Sequence, residues 1–340
     1  MILPAMIAFA ERAPTPDALT RAVIRSMVAG TASRLRGSDE AAERAFLDDM
    51  RRRPIASHVE DANAQHYEVP AAFFDIVLGP RRKYSCCCFA DAQTTLAQAE
   101  EAALAATVER AGLADGMRIL ELGCGWGSLT LFMAERFPNA RIVAVSNSAS
   151  QRAAILSRAA ERGLANVEVV TADMNDFATA GRFDRIVSIE MFEHMSNWRT
   201  LLARCRRWLA DDGRLFLHVF THARASYRFD PADRSNWIAQ HFFTGGVMPA
   251  HSLARRFPDL FEVEAEWRWS GEHYARTAAA WLANFDAAAD RVEAVLTPVY
   301  GRDVKLWMRR WRWFFLATEG LFGHAGGAVW GVGHYRLRPV

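Results

Sequence analysis

The chain has 340 residues, 51% hydrophobic and 24% charged, which is enough for one large domain or two smaller ones and excludes a disordered or collagen-like polymer. Its 41 Lys and Arg stand against 39 Asp and Glu, a formal charge of +2 that argues against a nucleic-acid partner. No apolar run reaches the roughly 18 to 20 residues of a membrane-spanning helix, the first ten residues lack the basic start of a secretory signal, and the five cysteines offer no CxxC pair with zinc spacing, so a cytoplasmic protein without a metal site is expected.

From about Ala18 to Arg53, Leu19, Val23, Ile24 and Met27 recur at helical spacing and predict a helical N-terminal region that ends by Pro54. The run HYEVPAAFFDIVLGPRRKYSCCCF, residues 66–89, predicts a short helix ending near Gly79 and Pro80, in a segment that covers a sheet rather than joining it. From Met117 the rhythm becomes strand, turn, helix. MRILELG, ARIVAVS, VEVVTAD, FDRIVSI and GRLFLHVF are short aliphatic runs separated by helical stretches, a pattern that demands right-handed crossovers and a mostly parallel sheet. FEVEAEWRWS and AVWGVGHYRLRPV predict two more strands paired as an antiparallel edge, with helical insertions at about 223–260 and 277–323.

Where the first strand becomes the first helix, ILELGCGWGS places Gly123, Gly125 and Gly127. Glycine lets the backbone turn tightly and approach a ligand, while the helix N-terminus offers unpaired N–H groups. The spacing G-x-G-x-G, with Glu121 two positions before it, departs from a dinucleotide fingerprint and suits S-adenosylmethionine better than NAD. Glu121 is positioned to accept a hydrogen bond from a loop amide or, through water, from the methionine ammonium. After the second strand, Ser146, Asn147 and Gln151 offer neutral groups to a ribose. After the third, Asp173 can take an adenine amino proton and Met174 can cover the ring, although Asp173 can equally be a helix cap.

Several longer runs carry a family resemblance: HYEVPAAFF (66–74), KYSCCCF (83–89), LELGCGWGS (120–128), SNSASQ (146–151), SIEMFEHMSNW (188–198), HFFTGGVMP (241–249) and EHYARTAAAW (272–281). The chain resembles the cyclopropane fatty-acid synthase group of S-adenosylmethionine-dependent methyltransferases, and within it most resembles the coclaurine N-methyltransferase branch. The resemblance implies an α/β, class I methyltransferase (Rossmann-like) fold with a seven-stranded mixed sheet. In it, residues 1–90 form a helical lid, 91–222 the S-adenosylmethionine-binding core, and 223–340 helical insertions that cover the substrate plus the last two strands. It also implies that Tyr84 and Ser85 close over the methionine part of the cofactor, that Gly123 and Gly125 lie on its turn, Ser146, Asn147 and Gln151 near its ribose, and Asp173 and Met174 at adenine. Glu190, Glu193 and His194 match the acid, acid, histidine set used around an amine. Cys86, Glu193, His218 and Tyr274 match the positions at which cyclopropane synthases hold bicarbonate.

Methyl transfer from a sulfonium requires an aligned nucleophile and exclusion of water, and an amine must first lose its ammonium proton. If residues 190–194 form a helical turn, Glu190, Glu193 and His194 share one face beyond the fourth strand, with Glu190 as charge partner, Glu193 as orienting or basic group and His194 as proton acceptor. The bland alternatives are a solvated Glu190, a capping His194 and a core His218. Trp267, Trp269, Trp281, Phe285, Trp313, Phe314, Phe315 and Phe322 are candidates to line an aromatic pocket. KLWMRRWRWFF reads either as a packed helix with a solvated basic face or as a segment for transient membrane-surface contact. The leading expectation is N-methylation of a small hydrophobic or aromatic amine. The rival is methylene transfer to an unsaturated phospholipid chain, and a non-catalytic binding module is opposed by the intact Gly123, Gly125, Glu193 and His194.

Overall fold

Runs such as Ile142-Val143-Ala144-Val145 are apolar at every position, which suits strands covered by helices on both faces. The computed structural model describes residues 11–12, 15–57, 69–234 and 236–340; the first ten residues, and His66, Tyr67 and Glu68 of the HYEVPAAFF run, lie outside them. Helices α1 (Asp17–Leu35) and α2 (Glu40–Arg51) come first, and the Asp39 carboxylate starts α2 by accepting the Ala42 N–H at 2.9 Å. The short α3 (Ala71–Val77) follows Pro70, and α4 (Leu96–Ala111) opens with a reciprocal Thr95/Gln98 capping box. The expected alternation then appears as β1 (Arg118–Leu122), α5 (Ser128–Arg136), β2 (Arg141–Ser146), α6 (Ala149–Glu161), β3 (Val167–Thr171), β4 (Phe183–Ile189), α7 (Trp198–Trp208) and β5 (Leu209–His222).

The segment after β5 departs from expectation. Residues 223–260 form a small antiparallel pair, β6 (Tyr227–Arg228) with β7 (Val247–Met248), a five-residue helix α8 (Trp237–His241) and the 3-10 turn Leu253–Arg256. Pro231, Pro249, Pro258 and the Gly245-Gly246 pair interrupt the helical pattern there. The second insertion is helical as expected: after β8 (Phe261–Ser270) come α9 (Gly271–Ala287), α10 (Ala289–Tyr300) and α11 (Val304–Phe322), and the chain closes with β9 (Trp330–Pro339).

The seven main strands lie in the order β3-β2-β1-β4-β5-β9-β8, with β1 to β5 parallel and β9 antiparallel to both β5 and β8. The direction of strand succession reverses between β1 and β4, and the crevice past their carboxyl ends is where such sheets bind ligands. One apolar cluster holds α3, α9 and α11 together through Phe73, Trp281, Trp311 and Phe315; another, on the sheet face under α7, contains Phe192, Trp198 and Leu201. In α11, Trp311 and Phe315 are fully buried, while Arg310 pairs with Glu11 and Arg312 with Asp17 and Asp286. Trp311 and Phe315 are therefore core, and Arg310 and Arg312 are engaged within the chain instead of forming a solvated basic face. Among the described residues no helix is long and apolar enough to cross a membrane.

Candidate active site

A large cavity opens at the carboxyl ends of β1, β2 and β4. At its floor, the turn after β1 is tied to β2 by the Gly123 and Cys124 N–H groups, both donated to the Val145 carbonyl at 3.0 Å. Gly125 has φ +50 and no atom within 4 Å of the place a Cβ would take, so its backbone faces the open cavity. Gly127 serves another purpose. Its backbone is also left-handed (φ +82), but a Cβ there would lie 2.6 Å from Ile155, so it lets α5 pack on α6 and does not line the cavity.

The other residues expected at the cofactor all reach the cavity wall: Tyr84, Ser85, Glu121, Gly123, Ser146, Asn147, Gln151, Asp173 and Met174. Their own bonds hold them in place. The Ser146 hydroxyl donates to Gln151 at 2.7 Å, and the Asp173 carboxylate accepts the Asn175 N–H at 2.7 Å, so Asp173 both shapes its turn and faces the cavity. Glu121 is buried with Thr130 donating to it at 2.6 Å, and burial pushes its carboxyl up to about 8 against the pull of that hydroxyl. Two donors on this wall, Trp126 Nε1 and Ser128 Oγ, are buried with no hydrogen-bond partner among the described residues. Orphaned donors beside an acid and an open glycine turn fit S-adenosylmethionine, whose amino-acid end is zwitterionic and whose nucleoside needs polar acceptors and an apolar cover.

On the opposite side the wall becomes aromatic, with Phe220, Phe229, Phe243, Trp281, Phe314 and Phe322 around Glu190, His194 and Tyr274. Of the aromatics expected to line a pocket, only Trp281, Phe314 and Phe322 do so. Phe285 and Phe315 lie in the core, Trp313 packs against it, and Trp267 and Trp269 belong to the edge strand β8.

Glu190 ends β4 with a left-handed backbone, φ +47, rare for a residue with a side chain. Its carboxylate accepts three hydrogen bonds: from the Cys86 N–H at 2.9 Å, from the Tyr274 hydroxyl at 2.6 Å and from His218 Nε2 at 3.2 Å. Burial pushes its pKa up, while nearby Lys83, Tyr274 and the Cys86 N–H pull the other way. Lys83 itself is buried, donating to Ser85 Oγ and to the Cys86 carbonyl, both at 2.6 Å.

Because residues 190–194 are a strand end followed by the 3-10 turn Phe192–His194, the three expected groups do not share one face. His194 lines the cavity with its ring against Phe243, centroids 4.5 Å apart. Glu193 is turned beneath the wall, fully buried, and accepts the Phe220 N–H at 2.6 Å. Burial and the neighbouring Glu190 carboxylate push its carboxyl well above the usual range. His218 and Cys86 also stay behind the wall. His218 holds Glu190 from the rear, and burial keeps its imidazole pKa well below the usual value; Cys86 offers its backbone N–H, while its buried thiol is pushed far up and packs. Lys83 escaped sequence reasoning although it opens KYSCCCF; a lysine beside three apolar cysteines was the available signal.

The sheet order and the cavity at its switch point define a class I S-adenosylmethionine-dependent methyltransferase. The family described as mycolic acid cyclopropane synthetase matches residues 56–324, and the chain belongs to that family. It is 37% identical over 290 residues to (S)-coclaurine N-methyltransferase of Thalictrum flavum subsp. glaucum, covering 84% of this chain and 80% of that one. It is 33% identical over 226 residues to cyclopropane-fatty-acyl-phospholipid synthase of Escherichia coli (strain K12), 66% of this chain and 56% of that one. Among solved structures, coclaurine N-methyltransferase bound to N-methylheliamine and SAH superposes with a TM-score of 0.90 at 34% identity, covering 95% of this chain and 96% of that one.

Proposed function

We propose that the protein methylates the nitrogen of a small hydrophobic or aromatic amine. S-adenosylmethionine, when bound, supplies an electrophilic methyl group on a sulfonium. The carrying observation is the Glu190 carboxyl group, set on the aromatic side of the cavity and held by Cys86, Tyr274 and His218. A cationic amine is drawn to such a carboxylate and to the aromatic faces around it. Glu190 binds the ammonium, His194 accepts its proton to expose the lone pair, and Glu193 fixes the turn from below. The described residues within 1–90 and 223–340 close over the donor core 91–222 and exclude water.

Three of the four positions that the resemblance links to bicarbonate, Cys86, His218 and Tyr274, converge here on the protein's own carboxylate, and the fourth, Glu193, turns away. This favours amine chemistry over lipid methylene transfer, because the place of an added anion is taken by a side chain. The test is purified protein with labelled donor, assayed against a panel of secondary and tertiary aromatic amines and against vesicles of unsaturated phospholipid. Label in the amines supports the reading; label only in lipid overturns it.

A further inference from the structure

Behind Glu190 a line of polar groups runs through the sheet to the far side. His218 Nδ1 lies 2.9 Å from His334 Nε2, and His334 Nδ1 lies 2.8 Å from Arg110 Nη1. His218 and His334 are directly opposite each other on β5 and β9, rings 4.5 Å apart, with Trp269 against both. Arg110, in the last turn of α4, is braced over the rings of Trp267 and Trp269 at 5.2 and 5.3 Å. We propose that Arg110 and His334 are positioning residues that, through His218, form a one-way hydrogen-bond relay fixing both imidazole tautomers and holding Glu190 as a carboxylate; the inference rests on Glu190 receiving a cationic amine.

The direction follows from the donor inventory. A guanidinium only donates, so His334 Nδ1 must accept; a neutral imidazole then carries its hydrogen on Nε2 and donates to His218 Nδ1. His218 in turn carries its hydrogen on Nε2 and donates to Glu190 Oε1. Both rings are neutral, because burial and the nearby cations Arg110 and Lys83 hold their pKa values well below the usual one. Since arginine cannot give up its proton, the line carries no proton outward and instead polarises every bond toward Glu190. Other charged or titratable groups facing this line are Lys83, Glu193, Tyr274 and Cys86 around Glu190, and Cys88, Glu109 and Arg336 near Arg110. None of them touches His334 Nδ1 in the hydrogen bonds of the described residues, so Arg110 decides its tautomer.

Donation to the ionised acid lowers its pKa, so breaking the relay raises it and moves the acid limb of kcat/KM to higher pH, by about one unit. The experiment compares the full chain with R110M, H334L and H334Q. Glutamine can accept with Oε1 and donate with Nε2 in the same order, whereas leucine and methionine cannot. The expected result is an upward shift of the acid limb in R110M and H334L and its return in H334Q. Nitrogen-15 spectra of histidine-labelled protein, with H334Q and H218N used for assignment, should show His334 and His218 protonated only on Nε2 in the parent and as tautomer mixtures in R110M. A parent-like acid limb and parent-like tautomers in R110M overturn the relay, as does H334Q behaving like H334L. The spectra need no methyl acceptor, so failure of the amine reading and failure of the relay are separable. R110M replaces a half-buried residue, so the test does not depend on H334L folding.

Discussion

Replacing Glu190 by glycine should separate the anion site from its tether. The substitution removes the carboxylate but leaves the Cys86 N–H, the Tyr274 hydroxyl and His218 Nε2 aimed at the vacated place. Losing the ammonium's partner should lower kcat/KM about 10²–10⁴-fold, the usual size for a positioned proton-handling group. Stability should change little. Glycine accepts φ +47 freely and so relieves roughly 1–2 kcal/mol of backbone strain. Against that stand donors that lose their acceptor, at about 1–3 kcal/mol each if water did not enter and much less once it does. The assay is methyl transfer to the best amine of the panel, with formate, bicarbonate, acetate or chloride titrated in, beside thermal melts of both proteins. Formate, bicarbonate and acetate supply the anionic oxygens without the tether, acetate's methyl group falling where the Glu190 side-chain carbons stood, and should restore a saturable part of the activity, and chloride none. The reasoning is refuted if Glu190→Gly keeps more than a third of parent activity, or if no small carboxylate restores any while the melt shows an intact fold.

Glu121, pushed up to about 8, should be mostly protonated at pH 7; calorimetry of S-adenosylmethionine binding in two buffers should then show net proton release that is lost in Glu121→Gln. Gly125→Leu points its side chain into open space and should abolish donor binding, whereas Gly127→Ala drives a Cβ into Ile155 and should lower stability by about 2 kcal/mol or more with weaker effect on donor affinity, as melts and calorimetry will show. Burial pushes the Glu11 carboxyl up, but hydrogen bonds from His241, Arg310 and Trp237 outweigh it and bring it from 4.5 down to about 2. A depressed acid stabilises the fold above its unfolded pKa, so this contribution should fade as pH falls from about 4.5 to about 2, and Glu11→Gln should lose it at neutral pH.

What the sequence disclosed divides by how local the cause is. The strands MRILELG, ARIVAVS and FDRIVSI, the glycine turn and the placing of Ser146 and Asp173 at strand ends on the cavity wall were legible because periodicity and turn chemistry act within a few residues. The segment 223–260 was not, since its Pro and Gly breaks read as gaps in a helix until the β6–β7 pair gave them a reason. Within SIEMFEHMSNW the helical spacing assumed one face, but the positive φ of Glu190 turns its carboxylate toward Cys86 and Tyr274 while Glu193 goes under the wall.

The register of β5 against β9 explains why the rest of the site stayed hidden. His218 and His334 are 116 positions apart and pair only because β9 inserts antiparallel between β5 and β8, a choice that no local pattern in either strand makes. The same insertion brings Trp267 and Trp269 across from His334, so Arg110 finds its aromatic brace and its imidazole partner on one surface. The edge strands are thus more than a cover for the donor-binding half: they carry the groups that support Glu190 from behind. On this argument a change at Trp269 should act on amine methylation through His218 and leave donor affinity alone, because its ring packs on both histidines and takes no part in the cavity wall.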